Sequence, residues 1–195
     1  DYYRAIHDIY EFNDKKPVDW RFRHNYDSRH RRTRELLVEL FAFCLMPNHI
    51  HLLLRQLSDN GIPLFMKKFG GGYANYFNQK YERRGYLFQG RFLAVHIDDD
   101  QQFKHDFVYI HTNPAALADP GWQEGNIKKP EEVIKYIENY KWSSYQDYLN
   151  KKNFPSLIKK DFFNHIMTQK EWQEYVNDWV RYKTVFNFTI PDIVI

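Results

Sequence analysis

The stretch FAFCLMPNHIHLLLR, residues 41–55, decides the fold of this chain. It contains two apolar runs of strand-forming residues, and the Pro47-Asn48 pair between them is a turn signal. The stretch therefore predicts a β-hairpin. The expected strands are Phe41–Met46 and His49–Arg55.

The second run contains two histidines separated by one apolar residue. Because side chains alternate along a strand, His49 and His51 should point to one face and Ile50 to the other. Two neighbouring imidazoles are half of a divalent-metal site. With 9 histidines in the chain, the pair alone is also compatible with core packing or with no role. Its function depends on a third ligand and a nucleophile elsewhere.

Composition narrows the class of protein. The 195 residues are 43% hydrophobic and 27% charged, with a net charge of +3, as expected for an ordinary soluble domain. The sequence shows no apolar run long enough to span a membrane and no signal-peptide pattern at its start, so a cytoplasmic location is expected. Cys44 is the single cysteine, which excludes disulfides and thiolate zinc sites within one chain.

The rest of the chain predicts mainly helices. The expected helices are residues 1–12, 33–40, 64–84, 101–112, 142–149 and 170–183, with a basic cluster (Arg29, Arg31, Arg32) between the first two and another strand at Phe92–Ile97. Gly70–Gly72 are costly inside a helix, so we expect them to break it or to let another backbone approach. Asp98–Asp100 are expected to cap the following helix and not to bind a metal.

A basic and aromatic segment follows the hairpin. From Gly61 to Ile97 the chain has six lysines and arginines but a single acidic residue, Glu82, and tyrosines and phenylalanines are interleaved with them. Basic groups contact phosphates and aromatic rings stack on unpaired bases, so the mixture suits single-stranded nucleic acid. An amphipathic helix with a solvated basic face and an aromatic core face explains the same composition.

The helix expected at residues 101–112 carries a candidate nucleophile. Tyr109 and Asn113 are four residues apart and share a helix face, and His105 precedes them by one turn. A helix crossing near the histidine pair would present a phenol and an amide oxygen to the same metal region. Since the chain has 15 tyrosines, a packing role for Tyr109 is the alternative.

Four ordered segments single out Tyr109. They are MPNHIHLLL (46–54), YANYFNQKYERRGYLFQGRF (73–92), YIHTNPAAL (109–117) and KWSSYQDYL (141–149). In this order and spacing, over roughly residues 41–149, the chain resembles the single-tyrosine HUH transposase family (the IS200-like transposase domain), most closely the REP-associated tyrosine transposases.

The resemblance implies a fold, a reaction and a set of site residues. The fold would be α+β, with a ferredoxin-like central antiparallel sheet. Tyr109 would be the nucleophile, and His49, His51 and Asn113 would bind Mg²⁺ or Mn²⁺. The DNA-contacting residues would be Lys67, Lys68, Tyr73, Lys80, Arg83, Arg84, Gln89 and Arg91.

The implied substrate is single-stranded DNA that contains a hairpin, such as a repetitive palindromic element or a transposon end. The enzyme would cleave and rejoin it through a 5′-phosphotyrosine intermediate, as a monomer or homodimer in the bacterial cytoplasm near the nucleoid. The transposase domain would span residues 1–149, without the family's first strand, and residues 150–195 would be a helical extension packed on it. The family often has a basic residue soon after Asn-Pro, whereas Ala115-Ala116 follow Asn113-Pro114 here.

Two other functions are compatible with these residues. A non-catalytic nucleic-acid-binding protein would bind single strands without forming a covalent adduct. A metal-dependent phosphodiester hydrolase would use the histidines and water, and its activity would survive Tyr109→Phe.

Overall fold

The computed structural model describes residues 1–17 and 34–183, which leaves the Arg29, Arg31 and Arg32 cluster outside the described part. It divides the chain into two compact units, Asp1–Glu39 with Leu54–Arg91 and Leu40–Leu53 with Phe92–Ile195. The strands are β1 (Val38–Leu45) and β2 (Ile50–Gln56). The helices are α1 (Tyr2–Phe12), α2 (Gly61–Lys80), α3 (Asp100–Thr112), α4 (Ala115–Ala118), α5 (Pro130–Asn139), α6 (Tyr145–Tyr148), α7 (Asp161–Asn164) and α8 (Gln169–Tyr182).

The predicted hairpin is confirmed as a two-stranded antiparallel sheet of β1 and β2. The helix expected at residues 33–40 is wrong, because β1 begins within it. Asn13 supplies the reason: its Oδ1 accepts hydrogen bonds of 3.0 Å from the backbone N–H groups of Leu37 and Val38, and its amide donates to the Val38 carbonyl. These bonds satisfy backbone groups that a neighbouring strand would otherwise pair with, and they keep the start of β1 extended.

Helix α2 in the first unit runs unbroken through Gly70–Gly72. The expectation of a break is therefore wrong at these positions. Gly72 has a packing role instead, since a Cβ placed there would lie 2.2 Å from the ring of Phe12 on α1. The missing side chain lets an aromatic ring, and not a backbone, approach the helix.

The second unit contains a segment that extends the hairpin. Leu45 N–H donates to the Trp142 carbonyl over 2.8 Å, and Ser144 N–H donates to the Phe43 carbonyl over 3.0 Å. Cys44 and Ser143 form an antiparallel bridge between these bonds. The helix expected at residues 142–149 is consequently shorter, and residues 142–144 cover the edge of β1.

The strand expected at Phe92–Ile97 is also wrong, because this segment has neither helix nor strand structure. Its apolar side chains include the exposed Leu93 and Val95. Alternation makes a segment suitable for a sheet, but a strand also needs a hydrogen-bonding partner. Along residues 1–17 and 34–183, no chain segment pairs with it.

The mixed α and β class is confirmed, as are α3 and α8 at nearly their expected limits. The ferredoxin-like arrangement stays a prediction, because the described residues form strands at β1 and β2 alone. None of the helices in the described ranges has the length and hydropathy needed to cross a membrane.

Candidate active site

The histidine pair lies at the closed end of the hairpin, within the second unit. The imidazole centroids of His49 and His51 are 4.7 Å apart, and their planes are nearly perpendicular at 87°. Asn48 Oδ1 lies 2.8 Å from Nδ1 of His49. A hydrogen bond there selects the tautomer that carries the proton on Nδ1 and fixes the ring orientation.

Helix α3 brings the candidate nucleophile to this pair. The ring centroids of Tyr109 and His51 are 5.3 Å apart, with the rings edge to face at 82°. Asn113 caps the end of α3, where its side-chain amide donates to the Tyr109 carbonyl over 3.3 Å. Because this bond uses the amide nitrogen, Oδ1 is the atom of Asn113 that suits a cation. The four residues expected to form the site are therefore brought together.

Burial determines the protonation state of His51. The residue is 4% exposed, and this desolvation lowers the pKa of its imidazole to about 4. The neighbouring His49 lowers the pKa further, whereas the Asn113 side chain raises it. His51 is therefore neutral at pH 7, which is the state that binds a metal.

A buried nitrogen provides a structural test of the metal prediction. Nε2 of His51 has no partner at hydrogen-bonding geometry among the described residues, although the Asn113 amide is near enough to affect the ring. A buried polar atom without a partner is costly, and a cation would satisfy it. Nowhere in the described part of the chain do three or more His, Cys, Asp or Glu side chains form a group that could hold a metal ion, so a site here depends on the Asn113 amide as third ligand. The residues present fit a site made of two imidazoles and one amide oxygen.

The acidic run before α3 has the structural role expected of it. Asp99 is the N-cap, and its carboxylate accepts a 2.7 Å hydrogen bond from the Gln102 N–H. His105 shares a helix face with Tyr109 by spacing, but its ring packs edge-on against Trp179 of α8, with centroids 4.9 Å apart. The part of α3 that lies next to the histidine pair is thus its C-terminal turn.

Sequence reasoning missed two polar residues next to this turn, His111 and Ser144. Both are fully buried, and Nε2 of His111 lies 2.7 Å from Oγ of Ser144. A signal existed in the spacing. His111 is two residues from Tyr109 and therefore about 200° around the helix from it. If Tyr109 faces the site, His111 must be a polar residue on the side of α3 that faces the core.

The predicted DNA-contacting residues lie in the first unit. Six of the eight have exposed side chains: Lys67, Lys80, Arg83, Arg84, Gln89 and Arg91. Lys68 instead donates to the backbone carbonyls of Asp14 and Lys16. Tyr73 packs between the rings of Phe69 and Phe88. These two side chains therefore support the unit's structure, whereas the other six are exposed, and among them Lys80 also pairs with Asp1 over 2.7 Å.

A turn after α2 presents part of this basic surface. Asn78 on α2 donates a 2.8 Å hydrogen bond to the Gly85 carbonyl, and Gly85 has the positive φ of 93° that favours glycine. Arg84 precedes Gly85, and the following residue, Tyr86, is 94% exposed. The turn thus offers a cation and an aromatic ring to solvent side by side.

Comparison with known proteins agrees with the geometry. Residues 20–113 match the family model described as "Transposase IS200 like", a range that includes β1, β2, α2 and α3 and ends at Asn113. The curated proteins give no match to this chain, nor do the solved structures. The resemblance to the IS200-like transposase family is thus confirmed over residues 20–113, just under half of the chain.

Proposed function

We propose that this protein is a transposase that cleaves and rejoins single-stranded, hairpin-containing DNA through a covalent 5′-phosphotyrosine on Tyr109. The observation that carries the proposal is the convergence of Tyr109 and Asn113 on the imidazoles of His49 and His51, with the Tyr109 ring centroid 5.3 Å from that of His51. A DNA-binding protein without catalysis has no use for this convergence. The family match supports the transposase class.

Tyrosine explains how a strand is held for transfer. The Tyr109 oxygen attacks the scissile phosphorus, so that an Oη–P bond forms and the P–O3′ bond breaks. The phenol loses its proton and the leaving 3′-oxygen gains one, which balances the step. The energy of the phosphodiester is kept in an aryl phosphate, and another 3′-hydroxyl can attack it to rejoin DNA. Water is not required as a nucleophile.

The metal in this proposal is Mg²⁺ or Mn²⁺ held by His49, His51 and Asn113. Imidazole and amide donors without thiolate are compatible with these ions. When bound, the ion would supply Lewis-acid stabilisation of the charge on the phosphate. The protein's own contribution is to keep His51 neutral by burial, to aim the Asn113 oxygen through its bond to α3, and to keep the Tyr109 ring against His51.

The first unit would contribute the contacts to the DNA backbone and bases. Its exposed cations are Lys67, Lys80, Arg83, Arg84 and Arg91. Cations on such a surface bind phosphates without reading sequence, and the exposed ring of Tyr86 is suited to stack on an unpaired base. Both properties favour a single strand over a small-molecule substrate.

The decisive experiment detects the covalent adduct. The full chain is incubated with Mn²⁺ and single-stranded hairpin DNA taken from sequences flanking the gene, labelled at either end, and then analysed on a denaturing gel. We expect the 3′-labelled fragment to migrate with the protein and the 5′-labelled fragment to be released with a 3′-hydroxyl. Tyr109→Phe and EDTA should each abolish the adduct.

Tyr136→Phe is the matched control, because Tyr136 is a partly exposed tyrosine on α5 of the same unit. It should form the adduct normally. Cleavage that persists in Tyr109→Phe without any adduct would indicate a metal-dependent hydrolase. Strand binding without cleavage in Mn²⁺ would indicate a binding protein, and either result would refute the proposal.

A further inference from the structure

A buried polar pair connects helix α3 to strand β1. Nε2 of His111 lies 2.7 Å from Oγ of Ser144. The same Oγ accepts a 2.9 Å hydrogen bond from the Phe43 N–H and lies 3.3 Å from the Phe43 carbonyl, which in turn accepts from the Ser144 N–H. The single hydroxyl of Ser144 therefore joins a helix to the centre of a strand.

This connection runs between the elements that carry the candidate site. Tyr109 and His111 lie on opposite sides of α3, since two residues correspond to about 200° of rotation. The His111 side meets Ser144 and β1, whereas the Tyr109 side meets His51 on β2. A rotation or slide of α3 that moved Tyr109 relative to His51 would also break the bond between His111 and Ser144.

The polar character of the pair is not required for packing. His111 and Ser144 are both 0% exposed, and the His111 ring already contacts Phe107, Tyr145 and Tyr148. A leucine would fill this apolar site without desolvating an imidazole. The pair adds a directional constraint on the position of α3 relative to β1, because a hydrogen bond has one preferred geometry whereas apolar contacts have many.

We propose that the bond between His111 and Ser144 sets the position of α3 on the hairpin and thereby holds Tyr109 in its reactive place. The proposal rests on the proposed role of Tyr109 as nucleophile. It assigns to His111 and Ser144 a positioning role in strand cleavage, with no contact to DNA or metal. A misplacement of a reacting group by about 1 Å can cost about 100-fold in rate, so a small movement of α3 is sufficient.

The test compares the two neighbouring serines. Ser143 is as buried as Ser144, but its Oγ accepts from the Tyr145 N–H over 3.1 Å and not from α3. The variants are Ser144→Ala, Ser143→Ala, His111→Leu, His111→Gln and the double variant His111→Leu/Ser144→Ala. Each is assayed by single-turnover adduct formation in saturating Mn²⁺, over a range of DNA concentrations.

We expect Ser144→Ala and His111→Leu to lower the maximal rate by about tenfold or more. The DNA concentration that gives half the maximal rate should stay within about twofold, because neither residue contacts DNA. The double variant should be no slower than the slower single variant, since both changes remove the same bond. His111→Gln, whose amide can reach Ser144, should recover most of the rate, and Ser143→Ala should keep it.

A second readout does not depend on activity. With 3-fluorotyrosine at position 109, the metal-free protein should give one ¹⁹F resonance, which shifts or broadens in Ser144→Ala and not in Ser143→Ala. If His111→Leu does not fold, Ser144→Ala still carries the test, because it removes one oxygen. Unchanged rate or unchanged resonance in a folded Ser144→Ala would overturn the proposal, as would multiplicative losses in the double variant. A wild-type protein that forms no adduct would instead refute the proposed function, while the resonance would still report on the pair.

Discussion

Gly72 should be intolerant of alanine whereas its neighbour Gly71 should benefit from it. Both lie inside α2 and have helical neighbours. A Cβ at position 72 would stand 2.2 Å and 2.4 Å from Cε2 and Cζ of the Phe12 ring, whereas a Cβ at position 71 would meet nothing within 4 Å. The two positions thus differ in steric environment and not in secondary structure.

The magnitude follows from two opposing effects. Alanine in place of glycine stabilises a helix interior by about 1 kcal/mol, and this gain applies at both positions. At position 72 the Phe12 ring must also move, and overpacking of this kind costs about 1–3 kcal/mol. Gly71→Ala should therefore raise the free energy of unfolding by about 1 kcal/mol. Gly72→Ala should be less stable than Gly71→Ala by about 1–3 kcal/mol, because the helix term cancels in the comparison.

Urea denaturation followed by circular dichroism measures this difference. The control compares the double variant Phe12→Ala/Gly72→Ala with Phe12→Ala alone, because without the ring the added methyl group should carry no penalty and only the helix gain should remain. Equal stability of Gly71→Ala and Gly72→Ala would refute the reasoning. So would an undiminished penalty when Phe12 is alanine.

Three further predictions concern the site and the basic surface. His51→Ala should weaken Mn²⁺ binding by at least about tenfold in an electron paramagnetic resonance titration. His96→Ala removes an exposed histidine of the same unit and should leave the affinity unchanged. Equal Mn²⁺ affinities of the two variants would contradict the proposed metal site. For single-stranded DNA, Arg84→Ala should reduce the slope of the logarithm of the binding constant against the logarithm of the salt concentration by about 0.7. Tyr86→Ala should weaken binding by about 1–3 kcal/mol without changing that slope. Fluorescence anisotropy titrations that show neither change would exclude the turn after α2 from the DNA surface. Folding lowers the pKa of His111 from 6.5 to about 3, so the unfolded state takes up the proton first as pH decreases, and the free energy of unfolding should fall by about 2 kcal/mol between pH values above 6.5 and pH 5. Urea denaturation in EDTA should show a smaller fall for His111→Gln than for the wild type. Equal falls in the two proteins would contradict the burial argument.

Local signals were sufficient for part of the fold and part of the site. The Pro47-Asn48 turn and the apolar runs around it predicted the hairpin, and the acidic run Asp98–Asp100 predicted a capped start for α3, where Asp99 is the N-cap. Alternation along the expected strand His49–Arg55 predicted that His49 and His51 share a face; His49 directly precedes β2, and the two rings are neighbours at 4.7 Å. These features depend on residues within a few positions of one another, where periodicity and capping rules apply.

The errors arose where a distant residue decides the local structure. The apolar residues before Phe41 suit a helix or a strand, and the side chain of Asn13, some 24 residues earlier, makes them a strand. Phe92–Ile97 has a strand pattern but has no partner among the described residues, so it stays exposed. Gly72 was expected to disturb a helix, yet the ring of Phe12 explains it.

The sequence by itself determined which residues are candidates for the chemistry: two histidines spaced for one strand face, a tyrosine and an asparagine on one helix face, and a resemblance to a transposase family. Only the tertiary structure decided that these faces meet, with the Tyr109 ring 5.3 Å from that of His51, and that Ser144 fastens the opposite side of the helix to β1, 101 residues earlier in the chain. The physical reason is that backbone periodicity sets the direction of a side chain relative to its own element. The distance between two elements is set by packing and hydrogen bonds between residues far apart in sequence, which no local pattern records.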